Sequence, residues 1–134
     1  MTFKLINPDS LGTPLGYSHG VLTDMAGKML FVAGQIGCDE KQIVISENFV
    51  EQFDRALANV IAVVSRAGGR PHQIARLVIY VTNKKEYTSS LSEVGKSYRA
   101  HMGKHFPAMV LVEVKSLLND DAKVEIEAVA VLSS

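Results

Sequence analysis

The chain has no tryptophan, one cysteine and four prolines among its 134 residues. A lone Cys38 excludes an intrachain disulfide, so stability rests on a packed core, and the cysteine usage is that of a reducing, cytoplasmic compartment. Net charge is also missing, because 14 basic and 14 acidic residues cancel and no Lys/Arg run occurs. A general nucleic-acid binder, whose affinity comes from cations neutralising phosphates, is therefore not expected. No apolar stretch approaches the ~20 residues of a membrane span, so no membrane partner is expected either. The opening segment MTFKLINPDSLG has no signal-peptide core. No repeat, linker or low-complexity tract divides residues 1–134, which read as a single domain.

What is present is ordinary globular material, 47% hydrophobic and 21% charged. A chain of this length buries roughly two thirds of its unfolded surface. Residues 1–15 read as loop, punctuated by Pro8, Gly12 and Pro14. The segment GYSHGVLTDMAGKMLFVAGQIG reads as two strands turning at Ala26-Gly27-Lys28, the second apolar on both sides and so covered on both faces. Residues 47–67 repeat Phe49, Phe53, Leu57, Val60, Ile61 and Val64 at helical steps, with Asn48 and Glu51 as a capping box and Gly68-Gly69 as the stop. A β-branched strand at 74–82 leads to a helix opened by NKKE, carrying Tyr87, Leu91, Val94, Tyr98 and Met102, and closed by Gly103. Two strands, 108–115 and 123–132, follow, joined by a polar turn.

This order predicts an α+β fold with about six strands in a mixed sheet and two helices on one face. Strand alternation puts Ala108, Val110, Val112 and Val114 on one side, and Met109, Leu111, Glu113 and Lys115 on the other. In the last strand Val124, Ile126, Ala128 and Ala130 oppose Glu125, Glu127, Val129 and Val131. The uniformly apolar sides are expected beneath the helices. The mixed sides, Met109 and Leu111 included, are expected to face away, and so large an uncovered apolar patch points to a homo-oligomer with Glu113, Glu125 and Glu127 at its seam.

Six segments, GYSHG, MLFVAGQIG, QFDRALANVIAVVSRAGG, ARLVIYVTNKKEY, FPAMVLVEV and VEIEAVAV, occur in one order over about the last 120 residues. Together they resemble the RidA/YjgF family of reactive-intermediate deaminases, also called endoribonuclease L-PSP. The resemblance implies a chorismate-mutase-like fold, a homotrimer, and ligand clefts between subunits. In the deaminase branch such a cleft takes a 2-imino or enamine acid. An arginine directly after FPA clamps the substrate carboxylate, a glutamate of the last strand directs water to the imine carbon, and a tyrosine near the N-terminus lines the site.

Carried over position by position, the resemblance implies Tyr17 and Glu125 as catalytic residues and Gly34 as a backbone contributor, with Ala33 where a small hydroxyl residue is often found. The arginine position holds Met109, a cysteine position two residues later holds Leu111, and an asparagine position of the second helix holds Gly95. Arginine supplies a charge-assisted fork for a carboxylate, whereas methionine supplies flexible apolar surface. Loss of the partner of a buried carboxylate costs about 2–5 kcal/mol, so 2-aminoacrylate is expected to be a poor substrate. No motif places a substitute such as Arg99 at the site.

Other signals read blandly. Glu125 has an alternative as a strand carboxylate paired with Lys115 or Lys123 across a hairpin, or as a neighbour of Glu113 with a raised pKa. Tyr17 equally suits a subunit contact, and His19 shares its side of the chain. His101 and His105 have metal-pair spacing but are separated by Gly103, with no third ligand, so no metal site is expected. Cys38 reads as a packing residue, and RAGGRP lacks the Lys-Ser/Thr of a phosphate loop, so no cofactor is expected. The functional expectation is an imine/enamine deaminase or tautomerase acting on a small molecule between subunits. The alternatives are a non-catalytic ligand-binding trimer and, more weakly, an endoribonuclease.

Overall fold

The structure, a computed structural model, describes residues 3–24 and 27–133. The turn expected at Ala26-Gly27-Lys28 lies partly outside the described residues. Among the described residues, six strands and three α-helices follow one another: β1 (Lys4–Ile6), β2 (Gly20–Leu22), β3 (Lys28–Ile36), α1 (Phe49–Arg66), β4 (Ile74–Val81), α2 (Lys84–Thr88), α3 (Leu91–Met102), β5 (Ala108–Glu113) and β6 (Val124–Leu132). The strands do not form one sheet. β1 and β2 make a small antiparallel pair, and the main sheet has the order β3-β6-β4-β5, with only β4 and β5 parallel. β2 therefore pairs with the N-terminal segment that reads as loop, and not with β3. The last two strands are not a hairpin either, because β4 lies between them.

Local chemistry sets the helix ends. The Asn48 side chain accepts from the Glu51 N–H at 2.9 Å, and Gly68 takes φ +88° just past the C-terminus of α1. The single second helix of the sequence pattern is broken at Ser89-Ser90, whose backbone N–H groups bond Lys85 and Tyr87 and close α2 after one turn. Asn83 caps α2 through Lys85 N, and the Glu113 carboxylate accepts from Lys84 N at 2.9 Å. An acidic group at a helix N-terminus meets both its free N–H groups and its dipole.

The core lies between the helices and one side of the sheet. Phe53, Leu57, Val60 and Val64 of α1 and Val94, Tyr98 and Met102 of α3 pack against Val32, Leu77, Ile79, Ile126, Ala128 and Ala130. Each large apolar side chain removed from water here contributes about 1.5–3 kcal/mol. Gln52 is fully buried within this face, yet satisfied: its amide N–H groups bond the Ser46 and Asp121 carbonyls at 2.8 and 3.1 Å, and its oxygen accepts from Lys123 N.

The far side of the sheet is uncovered. β3 does not have both faces protected, since Phe31 is 71% and Met29 52% exposed. The face assignment of β5 is inverted relative to the sequence pattern. Met109 and Leu111 pack against the core, opposite Leu77 and Ile79 of β4, while Val110 and Val112 are 42% and 38% exposed. Alternation itself holds. What alternation cannot decide is which of two apolar sides faces inward, and the acidic label Glu113 misleads because its carboxylate is used to cap α2.

Candidate functional site

Glu125 stands on the uncovered face of β6, opposite Ile36 of β3 and Tyr80 of β4. Register between β3 and β6 runs evenly to Val32↔Ala128 and resumes at Gln35↔Ile126, so Ala33 and Gly34 together oppose Glu127 alone. One extra residue is a β-bulge, a device that redirects side chains beside a site. The bulge brings the Gly34 backbone against the Glu125 carboxylate so closely that a β-carbon on residue 34 would collide with it. The carboxylate's present position thus depends on Gly34. Beside it, the loop after β3 is tied to α1, with Arg55 and Asn59 donating to the Cys38 carbonyl and Asn59 also to that of Ile36.

On the same face the Tyr80 hydroxyl donates to the Glu127 carboxylate. That hydrogen bond, with some burial and the nearby carboxylate charges, raises the Tyr80 phenol above its ordinary pKa. Glu127 is therefore engaged as an acceptor.

Tyr17, Met109 and Leu111 lie elsewhere. Ser18 forms a parallel bridge with Ala108, its N–H bonding the Pro107 carbonyl at 3.1 Å and its hydroxyl the Phe106 carbonyl at 2.6 Å. These contacts fix Gly16 and Tyr17 at the outer edge of β5, with the Tyr17 ring edge-on to His19 at 5.2 Å. Met109 points to the helix side, into a hollow of about 320 Å³ that also receives Gly16, Tyr87, Leu91, Gly95, Arg99 and Phe106. Leu111, one turn of the pleat further on, is a core contact.

Within one chain the carried-over residues therefore form two groups. Gly34 and Glu125 meet at the β3/β6 end of the sheet on its open face. Tyr17 and Met109 sit at the β5 edge, with Met109 on the opposite face. Glu125 and Met109 are two strand spacings, about 10 Å, apart across the sheet and three residues, about another 10 Å, apart along it, on opposite sides. Two side readings are corrected. Glu125 is not beside Glu113, whose carboxylate binds Lys84 N, and Lys123 bonds Glu86 at 3.0 Å. The sequence pattern overlooked Gly16 and Tyr87 as site neighbours and gave Arg99 no location. The only signal for Tyr87 was the stripe it shares with Leu91 and Val94.

The histidines have structural partners. His101 bonds Asp54 at 2.9 Å across α3 and α1, and His105 bonds the Ile74 carbonyl at 2.7 Å. Burial pushes the Asp54 carboxyl up, but hydrogen bonds from Ser97 and His101 and the charges of His101 and Arg55 outweigh it, holding the group below the usual range. The deeply buried Tyr98, donating to the His105 carbonyl at 2.6 Å, has its phenol pKa raised by that burial.

The fold and these motifs have close counterparts. Residues 8–132 match the family model described as Endoribonuclease L-PSP. A RutC family protein of Pyrococcus abyssi is 30% identical, over 97% of this chain and 98% of its own. A protein of Salmonella typhimurium named 2-iminobutanoate/2-iminopropanoate deaminase is 34% identical, over 78% of this chain and 80% of its own. The crystal structure of a conserved Rid family protein of unknown function from Yersinia pestis superposes with a TM-score of 0.86 at 28% identity, covering 98% of this chain and all of the other. A match spanning nearly the whole chain, on the fold just described, makes this protein a member of the RidA/YjgF (endoribonuclease L-PSP) family.

Proposed function

We propose that the protein is a homotrimeric imine or enamine deaminase whose site forms between neighbouring subunits, acting in the cytoplasm. The observation that carries this reading is the carboxylate of Glu125, lying on the open sheet face against the bare backbone of Gly34, where a β-carbon would displace it. Facing a bound imine, Glu125 takes a proton from water as its oxygen adds to the C=N carbon. The proton returns to nitrogen to give a carbinolamine, whose hydroxyl proton then passes through the same carboxylate to nitrogen as the C=O bond forms and the C–N bond breaks, and ammonia and a carbonyl product leave. The same carboxylate serves a tautomerase by moving a proton between carbon and nitrogen. Tyr17, at the β5 edge, belongs to the facing wall.

Support for the intersubunit placement is that one chain holds two incomplete groups at different places on its sheet, and that the open face carries Phe31, Met29, Val110 and Val112 exposed. Large apolar side chains exposed on both edge strands of one sheet face are the kind of surface that a partner covers. Family relatives include proteins named as deaminases of 2-iminobutanoate and 2-iminopropanoate. Met109 separates this chain from the clamp such short substrates need.

The test is ammonia release from enzymatically generated 2-aminoacrylate. Wild type is expected to be slow and Met109→Arg faster by about tenfold or more, from the fork it restores. Wild-type turnover equal to that of the arginine variant sinks the missing-clamp reading. An imine that the wild type does accept should lose turnover in Glu125→Gln; unchanged turnover there removes Glu125 from the mechanism.

A further inference from the structure

The hollow beneath Met109 has a wall of aromatic and aliphatic groups, Phe53, Ile79, Leu91, Val94, Tyr98 and Phe106, and one formal charge, Arg99. Arg99 stands one helical turn after Gly95, and long side chains on a helix lean back over the preceding turn. A β-carbon on residue 95 would lie 3.1 Å from Arg99 Nη1, tighter than ordinary contact. The bare glycine therefore lets the guanidinium lie flat against the helix at the mouth of the hollow. Among the described residues the Arg99 guanidinium has no carboxylate within salt-bridge distance and no hydrogen bond. The Tyr87 hydroxyl, in the same lining, is likewise unengaged among them. Tyr98, by contrast, spends its hydroxyl on the His105 carbonyl.

We infer that Arg99 is the anion-holding residue of this site, displaced from the strand to α3, and that it selects a carboxylate bearing a sizeable apolar tail. This deepens the deaminase reading and rests on it for the identity of the site. The guanidinium presents a planar fork that suits a carboxylate. Because it reaches in from the helix, the volume beside Met109 is left to apolar atoms. A ligand that fills it carries an aromatic or branched chain, against which Met109, an adaptable side chain, packs well. Tyr87 offers a second donor to the same carboxylate. A two- or three-carbon acid would hold on to Arg99 but leave the apolar wall unfilled.

Phenylpyruvate and phenylacetate, titrated calorimetrically into the assembled protein, test this directly. Both are expected to bind, phenylpyruvate more tightly than pyruvate, while phenylacetamide binds far more weakly than phenylacetate. Arg99→Met should weaken phenylpyruvate binding about 30-fold or more, and Arg99→Lys should recover part of it, with thermal midpoints unchanged. Gly95→Asn, which obliges Arg99 to move, should weaken it as well. Equal binding of acid and amide, equal binding by Arg99→Met, or no binding of either acid by wild type overturns the assignment. Ammonia release from 2-imino-3-phenylpropanoate, generated by an amino-acid oxidase, separates this inference from the one beneath it. Binding that needs Arg99 without any ammonia release leaves the clamp standing and removes the deaminase. Release that is indifferent to Arg99→Met removes the clamp and leaves the deaminase.

Discussion

The Gly34–Glu125 contact is the most demanding feature at the scale of single residues. Both positions carry over from family motifs, but their contact does not, because it depends on a bulge whose only mark in sequence is one glycine inside an apolar strand. Gly34→Ala should push the carboxylate out of place with little effect on the fold, since Gly34 is exposed and the clash falls on the far end of a flexible side chain. We expect turnover of an accepted imine to fall by about 10²–10⁴, the usual worth of a positioned acid–base group, while the thermal midpoint holds. A parallel drop in midpoint would show that the glycine serves folding and not Glu125. Met109 illustrates a different kind of legibility. Its identity was evident at once and its chemistry followed, but its direction did not, since a methionine fits either side of a strand.

Elements follow the same division. α1 was readable to within a residue or two because period, cap and glycine stop all agree. The helix after β4 was readable as a stripe but not as two pieces, since Ser89 and Ser90 act through backbone bonds that leave the stripe intact. Strand pairing was the least accessible: apolar content marks a strand without naming its neighbour, so the insertion of β4 between β5 and β6 had no signature. Gln52 was invisible for a related reason, being a polar residue on the apolar stripe of α1 with one partner just before the helix and two in the distant segment before β6. Removing its amide leaves the part-buried Ser46 and Asp121 carbonyls and the Lys123 N–H without this partner. Gln52→Leu should therefore lower stability by about 2–3 kcal/mol in denaturant unfolding, despite the added hydrophobicity. A neutral or stabilising result would mean that these groups reach solvent.

At the scale of the whole molecule, the proposed trimer answers two observations with one device, the open sheet face and the separation of Glu125 from Met109. The physical reading of an uncovered apolar face survives the inversion of β5, because Val110 and Val112 take the place that Met109 and Leu111 were expected to hold. The division has a genetic consequence. If each cleft draws Glu125 from one subunit and Arg99 from its neighbour, two proteins that are inactive for different reasons should rescue one another. Glu125→Gln and Arg99→Met chains, each silent alone on the imine of phenylalanine, should regain about a quarter of wild-type turnover when unfolded together and reassembled in equal amounts, because random mixing in a closed ring makes about one cleft in four intact. Co-assembled mixtures no better than their components would mean that each subunit works alone.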